Sequence, residues 1–338
     1  MRILFFGDVH HKIANFELGK QFVDWIVHVV DTKQPDMVVN LGDYFDNHAI
    51  LRSEVLSVYR NLVDNITTQQ NIPYFHILGN HEFFRPTDVT YHALQAMRGV
   101  SKNLFIVDKV VDVQNMTFVP YQSDISKFPS RTQNICIAHQ TFLGADYGYM
   151  RPEVGVDPSH VSAELIVSGH LHTRQEFNKV VYPGSSYAQG VVDVGQSKFI
   201  MMLDSVNYSR EFIVTPFPQW KIIKGEIFSQ ESLDNFHEMI TQFVCKPDHW
   251  VIELKGRRAE LTSYLTSSRY RDAVKDIDVK LRTEFTDSEK RSVTINSTSM
   301  EQTIRDYVSK VYTGTIDKSQ IIDAALQTVT KARSLGIK

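Results

Sequence analysis

Five short polar segments constrain the fold of this chain most, because each follows directly on an apolar run of strand length. The runs are residues 3–6, 37–41, 74–78, 135–138 and 165–168. The segments that follow them are Asp8-Val9-His10, Gly42-Asp43, Gly79-Asn80-His81-Glu82, His139 and Gly169-His170-Leu171-His172. In an open α/β fold, ligand-binding side chains gather at the carboxyl ends of the strands. We therefore expect all five segments to converge above one edge of a sheet.

Helical patterns between these runs complete an α/β layout. Residues 16–30 have an amphipathic pattern, and residues 53–65 predict a second helix. The apolar face of the first pattern carries Phe22, Val23, Ile26, Val29 and Val30. Short strands are predicted at 198–203 and 211–214. Strands that alternate with helices predict an α/β layered domain.

The segment Thr215-Pro216-Phe217-Pro218 indicates a domain boundary, because two prolines in four residues interrupt regular structure. Beyond it, a helix at 232–243 and strands at 250–254 and 277–281 predict a small α+β region. Residues 283–299 are polar and predict a linker. The expected domains are residues 1–214, 215–285 and 286–338.

Two amphipathic helices are predicted in the last of these regions. The apolar face of the first carries Met300, Ile304, Val308 and Val311. The apolar face of the second carries Ile321, Ile322, Ala325, Leu326, Val329 and Ala332. Their late position, after a polar linker, favours docking on a partner protein over packing on their own domain.

Cysteine content and hydropathy exclude several protein classes. Only Cys136 and Cys245 occur in the 338 residues, and neither has a neighbour at metal-ligand spacing. A disulfide scaffold and a cysteine–zinc site are therefore not expected. No apolar stretch approaches the ~18 residues of a membrane span, and no signal-peptide pattern occurs, so we expect a cytoplasmic protein without a membrane partner. The net charge of −3 leaves nucleic-acid binding open, because local basic patches suffice for it.

The side chains in the five segments favour a site for two divalent ions. Carboxylate, imidazole and amide oxygen ligands without thiolate suit manganese, iron or zinc. Two such ions ~4 Å apart activate a water and stabilise the oxyanions of a phosphoryl displacement, and Asp43 would have to bridge them. Each segment alone has a plainer explanation, since Asp8 could cap a helix and Asn80 could stabilise a turn. All five in this order favour the metal site.

Asp-x-His, Gly-Asp, Gly-Asn-His, His and Gly-His-x-His, in this order over residues 8–172, resemble the signature of calcineurin-like metallophosphoesterases. More narrowly, the chain resembles SbcD and the meiotic-recombination nuclease family, including the bacteriophage recombination endonuclease subunits. The turn Tyr182-Pro183-Gly184-Ser185 is similar to one that those nucleases carry. The resemblance implies a layered metallophosphoesterase β-sandwich flanked by helices, then a small α+β capping domain and a C-terminal helical tail.

The resemblance also implies a role for each matched residue. The first metal ion would be held by Asp8, His10, Asp43 and His172. The second would be held by Asp43, Asn80, His139 and His170. His81 would stabilise the scissile phosphate or protonate the leaving oxygen, which suits an imidazole with a pKa near 6.5. The implied cofactors are two divalent ions, Mn²⁺ in the first place and Mg²⁺ as the alternative.

Two positions depart from the family pattern. Some members carry a second catalytic histidine three residues after the bridging aspartate, where this chain has Asp46, and His48 is the candidate substitute. Glu82 stands where the nuclease branch usually has aspartate, and glutamate there is familiar from protein serine/threonine phosphatases. Those phosphatases usually have Asp-x-His-Gly at the first segment, whereas here His11 follows His10.

The function implied by the resemblance is a manganese-dependent DNA exonuclease or endonuclease that acts in recombination and repair. Its implied partners are DNA, an SbcC-like coiled-coil ABC ATPase bound through the tail helices, and a second copy of the chain in a homodimer. A small-molecule phosphodiesterase, a nucleotidase or a protein phosphatase on the same scaffold is the alternative, and the helical tail counts against it. A non-catalytic scaffold would be expected to have lost ligands, yet every expected ligand position is filled.

Overall fold

The computed structural model describes residues 1–48, 51–85, 87–147, 152–286, 304–305, 308–309 and 317–334. Residues 1–284 form one compact unit, and residues 285–338 form a second. The strands are β1 (Arg2–Phe6), β2 (Met37–Asn40), β3 (Tyr74–Ile77), β4 (Phe83–Arg85), β5 (Asp88–His92), β6 (Leu104–Val107), β7 (Val111–Val113), β8 (Met116–Val119), β9 (Ile135–His139), β10 (Leu165–Gly169), β11 (Gln175–Phe177), β12 (Val180–Tyr182), β13 (Phe199–Asp204), β14 (Arg210–Val214), β15 (Trp220–Ile227), β16 (His249–Gly256) and β17 (Val279–Phe285). The helices are α1 (Phe16–Lys33), α2 (Ser53–Asp64), α3 (Gln230–Phe243), α4 (Arg258–Leu265), α5 (Ser268–Ala273) and α6 (Lys318–Ser334).

Two six-stranded sheets, each with four neighbouring parallel strands, lie in the larger unit. The strand order is β14-β13-β1-β2-β3-β6 in sheet 1 and β11-β12-β10-β9-β8-β7 in sheet 2. In sheet 1, β1, β2, β3 and β6 run parallel, β13 lies antiparallel to β1, and β14 lies antiparallel to β13. In sheet 2, β8, β9, β10 and β12 run parallel between the antiparallel edge strands β7 and β11. The predicted layered β-sandwich is confirmed.

The two sheets pack face to face over an apolar core. Ile3 and Phe5 of β1 belong to a buried cluster with Phe118 and Ile137 of sheet 2. The intervening residues of β1 point to the other face, where helices α1 and α2 cover sheet 1. Because both faces of these parallel strands are buried, they read in the sequence as continuous apolar runs.

Helix α1 confirms the first predicted helix, which is three residues longer than the amphipathic pattern indicated. All five of the expected apolar side chains are buried. The helix ends where Gln34 adopts a left-handed conformation with φ of 47°. The Gln34 N–H then donates to the Val30 carbonyl at 2.9 Å, which satisfies one of the carbonyls that a helix end leaves free.

A three-stranded sheet, in the order β15-β16-β17, and helices α3 to α5 make up the region after residue 219. The predicted helix at 232–243 and strand at 250–254 are confirmed by α3 and β16. The strand predicted at 277–281 is displaced, since β17 runs from Val279 to Phe285. The linker expected from residue 283 was therefore placed too early. The boundary at 214 falls in the loop between β14 and β15 and stays a prediction, because residues 1–284 form one unit.

Helix α6 confirms the second predicted tail helix. Its apolar residues Ile321, Ile322 and Leu326 are half-buried. The first predicted tail helix is described only at residues 304–305 and 308–309, which are helical, and the rest of it lies outside the described residues. Among the described helices, none is long and apolar enough to cross a bilayer.

Candidate metal centre

The loops after β1, β2, β3, β9 and β10 meet at one end of the sandwich, where the carboxyl ends of parallel strands from both sheets come together. Two glycines make this approach possible. A Cβ at Gly42 would lie 2.6 Å from His139 Nδ1, and a Cβ at Gly169 would lie 2.6 Å from the Leu41 carbonyl oxygen. Gly42 also has φ of 103°, which L side chains rarely adopt. The expected convergence of the five segments is therefore present in the structure.

Several residues of these loops have backbone conformations that are uncommon for residues other than glycine. The φ angles are 49° at Asp8, 48° at His10, 50° at Asp43 and 90° at His170. Such conformations are unfavourable and persist only where the surrounding structure enforces them, as it does at many functional sites. The strain turns these side chains toward a common centre.

One cluster of ligand atoms comes from Asp8, His10 and His172, whose nearest oxygen and nitrogen atoms lie within 4.8 Å of one another. The Nε2 atoms of His10 and His172 are 3.1 Å apart. The Asp8 carboxylate accepts the backbone N–H of His170 at 3.0 Å, which fixes its orientation. Ligand atoms ~2.1 Å from one ion and at right angles to each other lie ~3 Å apart, so this spacing fits a bound metal.

A second cluster comes from Asp43, His139 and His170. Asn80 completes it, because its Oδ1 lies 2.9 Å from His170 Nδ1 and 3.2 Å from His139 Nε2. The other ring nitrogen of His139 donates to the Leu41 carbonyl at 2.7 Å. This bond leaves Nε2 of His139 to face the cluster, as metal-binding histidines require.

Asp43 lies between the two clusters. Its Oδ2 is 3.3 Å from His139 Nε2 and 3.9 Å from His10 Nε2. Its Oδ1 accepts the backbone N–H of His81 at 2.8 Å. The Asp43 carboxylate therefore lies within reach of the histidines of both clusters.

The charges of the site shift the pKa values of its members in opposite directions. Burial raises the pKa of Asp8 to about 6. Burial alone would lower the pKa of His139, but the carboxylates of Asp43 and Asp8 raise it to about 9. Burial, together with the charge of His139, lowers the pKa of His170 to about 4. The carboxylates thus favour a positive charge at His139, and a cation bound there would have to displace the His139 proton.

His81 lies beside both clusters with one ring nitrogen engaged. Its Nδ1 donates to the Asp46 carbonyl oxygen at 2.7 Å, because a carbonyl can only accept. Its ring meets the His10 ring edge-on at 4.6 Å and stacks on the His48 ring at 4.5 Å. The Nε2 atom of His81 is therefore the nitrogen that remains for a substrate.

Asp46 occupies the position where some family members have a second catalytic histidine, and His48 is the candidate substitute. The two side chains have different surroundings. The Asp46 carboxylate lies 3.5 Å from His10 Nδ1 and 3.0 Å from Lys12 Nζ. The Asp46 carboxylate therefore contacts Nδ1 of His10, whereas Nε2 of His10 faces the cluster. Carboxylates in this position orient the ring of a metal-binding histidine. His48 stacks on His81, and its own Nδ1 lies 3.2 Å from the Phe83 carbonyl oxygen.

Glu82, the second departure from the family pattern, is fully buried and joins two of the loops. Its carboxylate accepts the backbone N–H groups of Asp43 at 2.8 Å, Tyr44 at 2.7 Å and Gly79 at 2.8 Å. His76 Nε2 lies 3.8 Å from it. Glu82 therefore fixes the backbone on both sides of Asp43 and Asn80. The sequence marked this position as unusual, but its contacts were not predictable from the motif.

The turn at Tyr182-Pro183-Gly184-Ser185 packs under the site. The Tyr182 hydroxyl donates to the Gln140 carbonyl at 2.8 Å, and the Ser185 N–H donates to the His172 carbonyl at 3.1 Å. Gly184 has φ of 86°, and a Cβ there would lie 2.8 Å from the His172 carbonyl oxygen. The turn thus holds the backbone of a predicted ligand.

Comparisons with known proteins gave matches over this half of the chain. The family described as calcineurin-like phosphoesterase matches residues 1–174. The chain is 33% identical over 204 residues to "Putative phosphoesterase 078R" of Invertebrate iridescent virus 3, a match that covers 54% of this chain and 57% of that protein. It is 29% identical over 200 residues to "Putative phosphoesterase 244L" of Invertebrate iridescent virus 6, with 54% and 69% covered. The chain thus spans little more than half of the first of these relatives.

Among solved structures, an archaeal phosphodiesterase is similar to 63% of this chain and 99% of its own, with 16% identity and a TM-score of 0.35. A TM-score this low does not bear on activity.

Proposed function

Because the chain belongs to the calcineurin-like phosphoesterase family, we propose that it hydrolyses phosphodiesters with two divalent ions at its strand-end loops. The observation that carries this proposal is the position of Asp43 Oδ2, 3.3 Å from His139 Nε2 of its own cluster and 3.9 Å from His10 Nε2 of the other cluster. One ion would be held by Asp8, His10, Asp43 and His172, and the other by Asp43, Asn80, His139 and His170. Bound there, the ions would supply positive charge for the phosphate oxygens and acidity for the attacking water.

His81 would act on the leaving oxygen. When a phosphodiester is hydrolysed, one P–O bond breaks and the leaving group departs as an alkoxide, which needs a proton that an imidazole can supply near neutral pH. The bond from His81 Nδ1 to the Asp46 carbonyl holds the ring so that Nε2 carries the second, transferable proton when the imidazole is charged. His48 stacks on the same ring and limits its rotation.

We propose DNA as the substrate and manganese as the metal. The five motif segments and the Tyr182–Ser185 turn resemble those of recombination nucleases, which supports a nucleic-acid phosphodiester over a small one. Nitrogen and carboxylate ligands without thiolate support manganese or a similar ion. The net charge of −3 does not oppose DNA binding, because two bound cations would face the phosphates.

We also propose that the tail docks on a coiled-coil ABC ATPase of the SbcC type and that the protein acts as a homodimer in recombination or repair. The amphipathic helix α6, which carries Ile321 and Ile322 on its apolar face, supports the docking, because amphipathic helices bind partner grooves through such a face.

The test uses the purified full chain, Mn²⁺ and linear double-stranded DNA, with release of nucleotides or shortened strands as the measurement. We expect hydrolysis that EDTA abolishes. His81→Gln should lower kcat by roughly 10²- to 10⁴-fold while Mn²⁺ still binds, because the proton donor is lost and the ligands are kept. His28→Gln, an exposed position on α1, is the matched control and should change neither quantity.

Two results would contradict the proposal. Hydrolysis of phosphomonoesters alone would favour a phosphatase or nucleotidase on this scaffold. DNA hydrolysis by His81→Gln at the wild-type rate would show that His81 does not protonate the leaving oxygen.

A further inference from the structure

Lys198, the residue directly before β13, is a buried lysine close to the site. Its side chain is 2% exposed, and its ammonium group pairs with the carboxylate of Asp193, itself 2% exposed. The same ammonium donates to the His172 carbonyl at 2.9 Å and to Gln196 Oε1 at 3.3 Å. All three acceptors are oxygens, so the buried charge is fully solvated by the protein.

Asp193 connects this lysine to the opposite side of the site. Its second carboxylate oxygen accepts the backbone N–H groups of Gln189 at 2.6 Å and Gly190 at 3.2 Å. The side-chain amide of Gln189 then donates to the carbonyls of Asp8 at 3.1 Å and Val9 at 3.0 Å. Gln189, Asp193 and Lys198 thus form a continuous polar chain, which we name the strap.

The strap joins the two loops that supply the Asp8–His10–His172 cluster. One end binds the backbone of the first loop at Asp8 and Val9, and the other end binds the backbone of the second loop at His172. The loops are far apart in sequence, and their ligand atoms must lie within a few tenths of an ångström of a fixed geometry to share one ion.

We infer that the strap is a positioning device for the metal site formed by Asp8, His10 and His172, with Lys198 as the residue that holds its His172 end. This inference rests on the proposed function. A buried ion pair adds little net stability, and apolar residues of the same volume often do as well or better. Apolar side chains at positions 193 and 198, however, could not donate a hydrogen bond to the His172 carbonyl. Groups that hydrogen-bond to the ligands of a metal and orient them typically raise the metal affinity 10- to 100-fold.

The experiment compares Mn²⁺ binding and metal-free thermal stability in four full-length proteins. They are the wild type, Lys198→Met, the double variant Lys198→Met/Asp193→Leu, and the control Lys33→Met. The control removes the same charge from a surface pair, since Lys33 lies 2.7 Å from Glu211 and both are solvent-accessible. Isothermal titration in the same buffer gives the number of ions and the affinity of each.

We expect two ions in the wild type and in Lys33→Met. Lys198→Met should lose 10- to 100-fold in affinity for one ion and also some metal-free stability, because it leaves the Asp193 carboxylate buried and unpaired. The double variant should recover part of the melting temperature, because the unpaired carboxylate is gone, without recovering the metal affinity. A change in metal affinity that does not follow the change in melting temperature distinguishes a positioning role of the Lys198–Asp193 pair from a purely structural one.

A double variant that folds and binds both ions as the wild type does would overturn the inference and leave the proposed function intact. A wild type that binds no divalent ion would instead refute the proposed function, and the inference with it.

Discussion

Among the individual residues of the site, Glu82 determines much of the geometry although it is not a member of either ligand cluster. Its buried carboxylate accepts N–H groups from the loops that carry Asp43 and Asn80. A carboxylate has enough lone pairs for several such bonds, whereas an amide has one oxygen and would turn its NH₂ group toward other donors. The negative charge and the length of Glu82 both matter, because the two loops meet at this side chain.

We predict that Glu82→Gln weakens Mn²⁺ binding by roughly 10- to 100-fold and lowers the free energy of unfolding by about 1–3 kcal/mol. The reason is the loss of N–H acceptors that fix the backbone around Asp43. Titration calorimetry and denaturant unfolding would measure the two effects. Glu231→Gln, an exposed position in the first turn of α3, serves as the control. Wild-type metal affinity in Glu82→Gln would show that Glu82 does not support the site.

The sequence predicted which side chains gather at the site but not what holds them. The predicted metal ligands could be recognised because carboxylates and histidines after apolar runs have few other reasons to recur in one order. The supporting bonds are different, since Lys198 lies 26 residues from His172 and Glu82 lies 39 from Asp43. A lysine or glutamate of that kind looks like any other in the sequence, because its burial is set by the tertiary fold.

The loops that follow the strands depend on glycine where backbones come close. A Cβ at Gly79 would lie 2.1 Å from Asp43 Oδ1 and 2.6 Å from the Asp43 backbone nitrogen. Neither atom can move away without displacing the proposed bridging carboxylate. Gly225, in β15, is equally crowded, with a Cβ position 2.3 Å from the Phe236 ring, but it faces helix α3.

We predict that Gly79→Ala reduces Mn²⁺ affinity at least 10-fold, because the loop that carries Asp43 must shift. Gly225→Ala should lower the free energy of unfolding by about 1–3 kcal/mol through overpacking and leave metal binding unchanged. Titration calorimetry and thermal unfolding of both variants make the comparison. Equal metal affinities in the two variants would contradict the proposed position of Asp43.

Long elements with a clear pattern were predictable, and short ones were not. Helices α1, α2 and α3 have amphipathic patterns, and β1, β2, β3, β9 and β10 are buried runs of four or five residues. The strands β4, β7 and β11 have three residues each and include exposed positions. Periodicity over three residues carries too little information to distinguish a strand from a loop.

The packing of two sheets into one sandwich follows from contacts that no local pattern encodes. Parallel strands buried on both faces show apolar runs without alternation, so the sequence does not reveal which strands share a sheet. Only the arrangement of the whole unit brings the loops of β9 and β10, from sheet 2, to those of β1 to β3. The family resemblance, and not periodicity, predicted the sandwich.

The tail gives a prediction for the whole assembly. Removing residues 298–338 should leave Mn²⁺-dependent hydrolysis within about twofold of the full chain, because all predicted ligands lie within residues 1–284. It should abolish co-purification with a coiled-coil ATPase partner. In the full chain, Ile322→Asp with Leu326→Asp should have the same effect, since it places charge on the apolar face of α6. Unchanged co-purification would refute the docking proposal.

The most direct test of the two-ion proposal is a titration of metal-free protein with Mn²⁺, at protein concentrations well above the dissociation constants, followed by DNA hydrolysis at each step. If Asp43 joins two ions in one catalytic site, the rate should stay low up to about one equivalent and reach its plateau at two equivalents per chain. A plateau at one equivalent, or hydrolysis without added metal, would contradict the two-ion site.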